Sequence, residues 1–144
     1  MSSIREVIEN KGGSVVSVSI DTSVLEAIGT MSNANIGAVV VIHEGNAVGI
    51  FTERDYLRKI ALQGRASGDT VMSEVMSSPL ITAGPEESTK DAMETMTECR
   101  CRHLVIMHDE KMVGIVSLGD LVKHLLVAAE AEVEQLSSYI AGSY

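Results

Sequence analysis

Ala47-Val48-Gly49-Ile50-Phe51-Thr52-Glu53-Arg54-Asp55-Tyr56 returns later in the chain as Met112-Val113-Gly114-Ile115-Val116-Ser117-Leu118-Gly119-Asp120-Leu121, an offset of 114 − 49 = 65 residues. The same offset holds upstream without a gap. Ser23 falls on Ser88, Ala27 on Ala92, Thr30 on Thr95, Met31 on Met96 and His43 on His108. The duplicated stretch is long enough to be a whole supersecondary unit, so the fold must be one that packs two copies of that unit.

Each copy can be read by its period. Thr22-Ser23 stands before Val24, Leu25, Ile28 and Met31, an N-cap followed by helically spaced apolar positions, and Ser88, Ala92, Met93 and Met96 repeat the pattern. The runs Ile36–Ile42 and Leu104–Met107 are short, apolar and rich in β-branched residues, which suits buried strands. Glu44-Gly45-Asn46 and Asp109-Glu110-Lys111 supply turns, and Ala47–Thr52 and Met112–Ser117 return as hairpin partners. Asp55 and Asp120 are expected to start the closing helices. The unit is then β-α-β-β-α, too small to cover both faces of its own sheet, so two units should pack as a pseudo-two-fold pair. The fold class expected is α/β, more closely α+β.

The spacing also divides the chain. Residues 1–62 form repeat one with a lead-in, 63–72 a Gly-rich polar linker, 73–127 repeat two, and 128–144 a helical extension and tail. Ser3–Asn10 and Ser73–Met76 are expected as short helices entering each copy. At the far end, Val122, Leu126, Ala129, Val133, Leu136 and Ile140 are spaced 4, 3, 4, 3, 4, one apolar seam on a long helix from Asp120 to about Ile140. Val122 and Leu126 are expected to cover the helix's own domain, the later positions a partner.

Composition narrows the function. At 144 residues with 45% apolar content the chain can bury one ordinary core. A net charge of −9 opposes a general nucleic-acid partner, because phosphate backbones are bound by basic surfaces. No run of about 18 uncharged apolar residues and no charged leader is present. The expectation is a soluble protein with no membrane partner, cytoplasmic or of an organelle matrix. Cys99 and Cys101 lie one residue apart, too close for an unstrained bridge, and read as reduced thiols. No nucleophile elbow, phosphate-binding glycine loop or metalloprotease helix occurs, so the chain is not expected to be an enzyme. A hydrolytic pair of Asp55 and His103 is the catalytic alternative.

A repeated β-α-β-β-α unit with glycine, two apolar residues, Thr or Ser, two further residues and Asp resembles a pair of CBS (cystathionine-β-synthase-type) repeats, a Bateman module. The likeness spans nearly the whole chain. It is strongest toward small stand-alone pairs, which have stretches similar to Thr52-Glu53-Arg54-Asp55-Tyr56-Leu57-Arg58-Lys59 and Tyr139-Ile140-Ala141-Gly142-Ser143-Tyr144.

The resemblance implies an adenosine nucleotide (AMP, ATP or NAD(H)) between the repeats and no catalytic cofactor. It makes Thr52 with Asp55, and Ser117 with Asp120, hydroxyl and carboxylate pairs for ribose hydroxyls. Taken alone, either pair reads more readily as turn and N-cap chemistry, and it is the duplication together with the resemblance that favours the ribose role. The phosphate position of the family falls on Arg102-His103, an arginine fork beside a titratable donor, and on Gly37-Ala38 in the other copy. The cleft of Thr52, Asp55, Arg102 and His103 is therefore expected to be the better site. Ile81 and Thr82, and Val16 and Ser17, match the strand lining the adenine slot, while Val105 stands where relatives have proline. Arg54 faces phosphate or pairs with Glu53 or another acid. The resemblance further implies a homodimer and a separate regulated protein, with redox control one possibility; the alternative is a purely structural interaction module with no physiological nucleotide.

Other residues carry less. Cys99, Cys101 and His103 are an incomplete zinc set, and no metal is expected. His43 and His108 read as turn-proximal surface residues and His124 as solvated. Lys11-Gly12-Gly13 reads as a flexible lead-in in preference to a phosphate loop. The eight methionines read as adaptable core filling.

Overall fold

A computed structural model of the chain describes residues 2–140. Residues 141–144, which carry most of the tail resemblance, lie outside the described residues. Repeat one runs β1 (Ser17–Ser19), α2 (Val24–Ala34), β2 (Ala38–His43), β3 (Asn46–Thr52) and α3 (Glu53–Asp55), which continues as a π-helical turn over Tyr56–Ala61. Repeat two runs β4 (Thr82–Ala83), α5 (Thr89–Cys99), β5 (His103–His108), β6 (Lys111–Ser117) and α6 (Leu118–Ile140). A lead-in helix precedes each, α1 (Ile4–Lys11) and α4 (Met72–Val75). Each repeat forms a three-stranded sheet in which the middle strand, β2 or β5, pairs parallel with β1 or β4 and antiparallel with β3 or β6. The β-α-β-β-α reading holds in both copies.

The 65-residue offset extends to backbone detail. Ser23 and Ser88 cap α2 and α5, accepting from the amides of Glu26 and Asp91. Both helices end on left-handed residues, Asn35 and Arg100, each at φ 55°. Each hairpin shifts register once, between Val41 and Ile42 and between Ile106 and Met107. The turns place Glu44 and Gly45, or Asp109 and Glu110, at positive φ, as the twist of two-residue hairpins demands. The closing helices start two residues earlier than the aspartates. Thr52 is the N-cap of α3 and Asp55 its third residue in a reciprocal capping box, and Ser117 and Asp120 exchange the same two bonds.

The lead-in helices change places. Ile4 and Val7 of α1 are buried in the core of repeat two with Ala92, Met96, Leu104, Ile106, Val116 and Leu121. Met72 and Val75 of α4 are buried in the core of repeat one with Val24, Ala27, Met31, Val39, Val41, Phe51 and Ile60. Backbone bonds fix the exchange: Ile4 N–H donates to Glu87 O and Arg5 N–H to Pro85 O, while Met72 N–H donates to Thr22 O and Ser73 N–H to Ile20 O. The apolar pairs match at 72 − 4 = 75 − 7 = 68, not 65, because α1 is the longer helix. Gly49 and Gly114 permit the crossing. A Cβ on Gly49 would lie 2.6 Å from Met76 Sδ, and one on Gly114 3.1 Å from Ile8 Cδ1.

Strand alternation turns Val39 and Val41, or Leu104 and Ile106, toward these helix-covered cores. Val40 and Val105 point the opposite way and are also buried. That second face is where the repeats meet, with β3 and β6 in contact. Arg54 adds a bond between the repeats: its guanidinium donates to Arg100 O at 3.1 Å, serving neither an acid nor an open pocket.

Helix α6 is 23 residues, roughly 34 Å at 1.5 Å per residue. Its own domain is covered by Leu118 and Leu121, not by Val122 and Leu126. Val122, Leu126, Val133 and Leu136 are 42%, 58%, 62% and 57% exposed, so the expected seam exists and its N-terminal part too faces outward. No helix among the described residues is long and apolar enough to cross a membrane.

Candidate functional site

The strand-to-helix junctions of the two repeats share one chemistry, and their neighbours make them differ. In repeat one, Asp55 Oδ2 accepts from Thr52 N–H at 3.1 Å and from its hydroxyl at 3.3 Å. Its Oδ1 accepts from Ser77 Oγ at 2.8 Å and faces Lys59 Nζ at 3.2 Å. Both oxygens are committed and the residue is 7% exposed. Lys59 is fixed as firmly, since its ammonium also donates to Val75 O at 2.8 Å and Ser77 Oγ at 3.3 Å.

Position 59 + 65 = 124 in repeat two is a histidine. His124 does not turn to Asp120. It lies 3.7 Å from Glu6 and 3.4 Å from Asn10 on α1, its side chain only 12% exposed, so the expectation of a solvated histidine is corrected by the arrival of α1 over it. Asp120 Oδ2 accepts from Ser117 N–H at 2.9 Å and from Lys11 Nζ at 2.8 Å. Both bonds fall on one oxygen, and among the described residues Oδ1 takes none.

Asp120 opens onto a cleft of about 620 Å³ between the repeats. Repeat one and its lead-in contribute Lys11, Gly12, Gly13, Val16, Gly37 and Ala38; repeat two contributes His103, Gly114, Ser117 and Asp120. Register places His103 beside Ser117, its cross-strand partner, as it places Ala38 beside Thr52. The hydroxyl and carboxylate facing this cavity are Ser117 and Asp120; Thr52, Asp55 and Arg102 are not in its lining. Arg102 is exposed on the surface, its carbonyl accepting from Leu118 N–H. Val16 lines the cleft, whereas Ser17, Ile81 and Thr82 are exposed.

The Lys11-Gly12-Gly13 lead-in forms part of the wall of the cavity. Lys11 Nζ reaches across to Asp120 and also donates to Ile115 O at 3.0 Å. Nothing in the spacing of Lys11-Gly12-Gly13 marked it, because its role depends on α1 packing on the other repeat.

Electrostatics follow from this geometry. Partial burial pushes the Asp120 carboxyl up, but the hydrogen bonds from Lys11 and Ser117 together with the Lys11 charge outweigh it and hold the carboxyl below its ordinary range. Burial holds His103 below 6.5, aided by the charges of Lys11 and Arg102 against those of Asp120 and Glu53. His103 is therefore a neutral donor or acceptor at pH 7. Cys101 is raised, first by burial and then by Cys99, which works against a reactive thiolate at that position. No group of three or more His, Cys, Asp or Glu side chains among the described residues could hold a metal ion. A second hollow of about 460 Å³ lies between α5 and α6, lined by Met93, Leu125, Glu94 and Glu98 among others.

Comparison with known proteins gives a consistent result. The CBS-domain family model matches twice, at residues 4–62 and 72–127. The chain is 39% identical over 98% of its length to the mitochondrial CBS domain-containing protein CBSX3 of Arabidopsis thaliana, covering 73% of that protein. It is 36% identical over 99% of its length to the CBS domain-containing protein YhcV of Bacillus subtilis, covering 92% of it. Among solved structures, the CBS-domain containing protein ATU1752 of Agrobacterium tumefaciens superposes with a TM-score of 0.81 at 38% identity, covering 85% of this chain and 98% of that one.

Proposed function

The chain belongs to the CBS-domain family and has its repeat in tandem, and from that premise we propose that it is a non-catalytic sensor that binds an adenosine nucleotide in the inter-repeat cleft and signals to a separate protein. The observation that supports this most is the Ser117 and Asp120 pair, with one carboxylate oxygen open to a cavity of about 620 Å³ built from both repeats. That volume is in the range of small-molecule sites, roughly 300–1,000 Å³. Ribose hydroxyls donate to Asp120; the phosphate lies toward His103 and Lys11; the adenine packs on the apolar wall that includes Val16 and Ala38. A ligand so placed touches both repeats at once, which couples occupancy to how they sit together.

Calorimetric titration of the full chain with AMP, ADP, ATP, NADH and GMP tests the reading. AMP or an AMP-containing ligand binding more tightly than GMP is expected. Equal affinity for GMP, or no binding by any of the five, overturns it, and turnover of any of them places the chain among enzymes instead.

The exposed stripe on α6 supports a further part of the proposal, a homodimer. Leu126, Val133 and Leu136 are more than half exposed and spaced for a helical seam, a form of surface that a second copy of the same helix covers well. The regulated protein would be recognised by the assembled pair.

A further inference from the structure

Lys11 occupies one of the two Asp120 carboxylate oxygens that a pair of vicinal ribose hydroxyls needs, Oδ2, and leaves Oδ1 open. Its ammonium sits on Asp120 Oδ2 at 2.8 Å and on Ile115 O at 3.0 Å, inside the cleft, with the lysine side chain 39% exposed and the aspartate 25%. Resting on the nucleotide reading above, we propose that Lys11 is a movable counterion which leaves Asp120 for the ligand's phosphate, and so makes the module respond to phosphorylated nucleosides and not to the bare nucleoside.

Three observations support the exchange. The first is room for the ammonium to shift at the right place. Lys11 is the last residue of α1, whose body is anchored through the buried Ile4 and Val7. The next two residues are glycines at φ 63° and 75°, and a Cβ at either would meet nothing within 4 Å, so no neighbouring side chain crowds the end of α1 where Lys11 sits. A flexible four-carbon stem lets the ammonium move while the helix stays.

The second is charge. Lys11 and Asp120 are the charged residues of the cleft lining, His103 is neutral, and the two charges cancel. A neutral nucleoside whose vicinal hydroxyls take both Asp120 oxygens leaves the ammonium without a counterion in a partly desolvated cleft. A phosphate monoester brings the replacement anion with it, so Asp120 goes to ribose hydroxyls and Lys11 to phosphate oxygens with no charge left unpaired.

The third is the built-in contrast with repeat one. There the aspartate's counterion, Lys59, comes from its own helix and donates to Val75 O and Ser77 Oγ as well, three partners that hold it in place. The same carboxylate is locked in one repeat and releasable in the other.

Titrating adenosine and AMP into the full-length wild type, Lys11→Met and Lys11→Arg, with circular dichroism to confirm folding, tests the proposal. Lys11→Met keeps the apolar stem, removes the charge and frees Asp120. It should weaken AMP on the order of tenfold or more, the loss of one charge-assisted bond, while adenosine binds several-fold more tightly. Lys11→Arg should keep the wild-type preference. A second measurement needs no variant: in the wild type, raising salt should weaken AMP and leave adenosine unweakened, since screening removes an attraction for one and a competitor for the other. If Lys11→Met shifts both ligands by the same factor, or adenosine and AMP share one salt dependence, Lys11 is only structural and the inference falls while the nucleotide reading stands. If neither ligand binds the wild type, the nucleotide reading falls and this inference with it.

Discussion

Asp55 has both carboxylate oxygens bonded within its own fold, and Asp120 keeps one open to a cavity. Substitution should therefore separate them. Asp55→Ala removes half a capping box and leaves Lys59 facing Ser77 and a carbonyl without its anion, so urea denaturation should show a loss of about 1–3 kcal/mol while AMP affinity changes little. Asp120→Ala should weaken AMP by about 1.5–3 kcal/mol, the worth of a hydrogen bond to a charged group. A variant pair with the reverse pattern would move the site to the other junction. The pairing of hydroxyl and carboxylate at a spacing of three was legible from residue types alone. Which of two identical spacings faces a cavity was not, because it depends on Lys59 against His124 and on a lysine over 100 residues away.

Among the elements, the two lead-in helices hold the repeats together. Each buries its apolar face in the core of the repeat it does not precede, so neither core is complete without a segment contributed by the other half. Ile4 is fully buried among Leu104, Ile106 and Leu121. Ile4→Ala should cost about 2–5 kcal/mol, and hydrogen exchange should locate the damage in β5 and β6 of repeat two, not in β2 and β3 of repeat one. Faster exchange confined to the first repeat would contradict the exchange of helices. The helices themselves were readable from short apolar patterns. Their destination was not, since Ile4, Val7, Met72 and Val75 would fill either of two similar cores equally well by hydrophobicity.

For the molecule as a whole, α6 projects an apolar stripe past the repeats while Leu121, with Leu118 packed beside it, joins the core. A homodimer using this stripe should be converted to monomer by Val133→Glu combined with Leu136→Glu, with little change in the stability of the repeats, because both side chains are more than half exposed in the single chain. Light scattering at tens of micromolar decides the matter: a monomeric wild type, or a double variant that stays dimeric, removes α6 from the interface.

What the sequence determined by itself is the repeated unit, because period, capping residues and turn chemistry are local and the 65-residue offset makes each copy a check on the other. Ser23 and Ser88 cap helices, the apolar runs form middle strands, and Thr52 and Ser117 end strands at helix starts, as their neighbours in the chain require. What only the tertiary structure decided is everything that depends on which surface meets which. The arrival of α1 on repeat two covers most of the His124 side chain, directs Lys11 onto Asp120 and turns a glycine-rich lead-in into the wall of a cleft. Those contacts span more than 100 residues, and sequence pattern fixes a residue's own face and period but not the partner that packs against it.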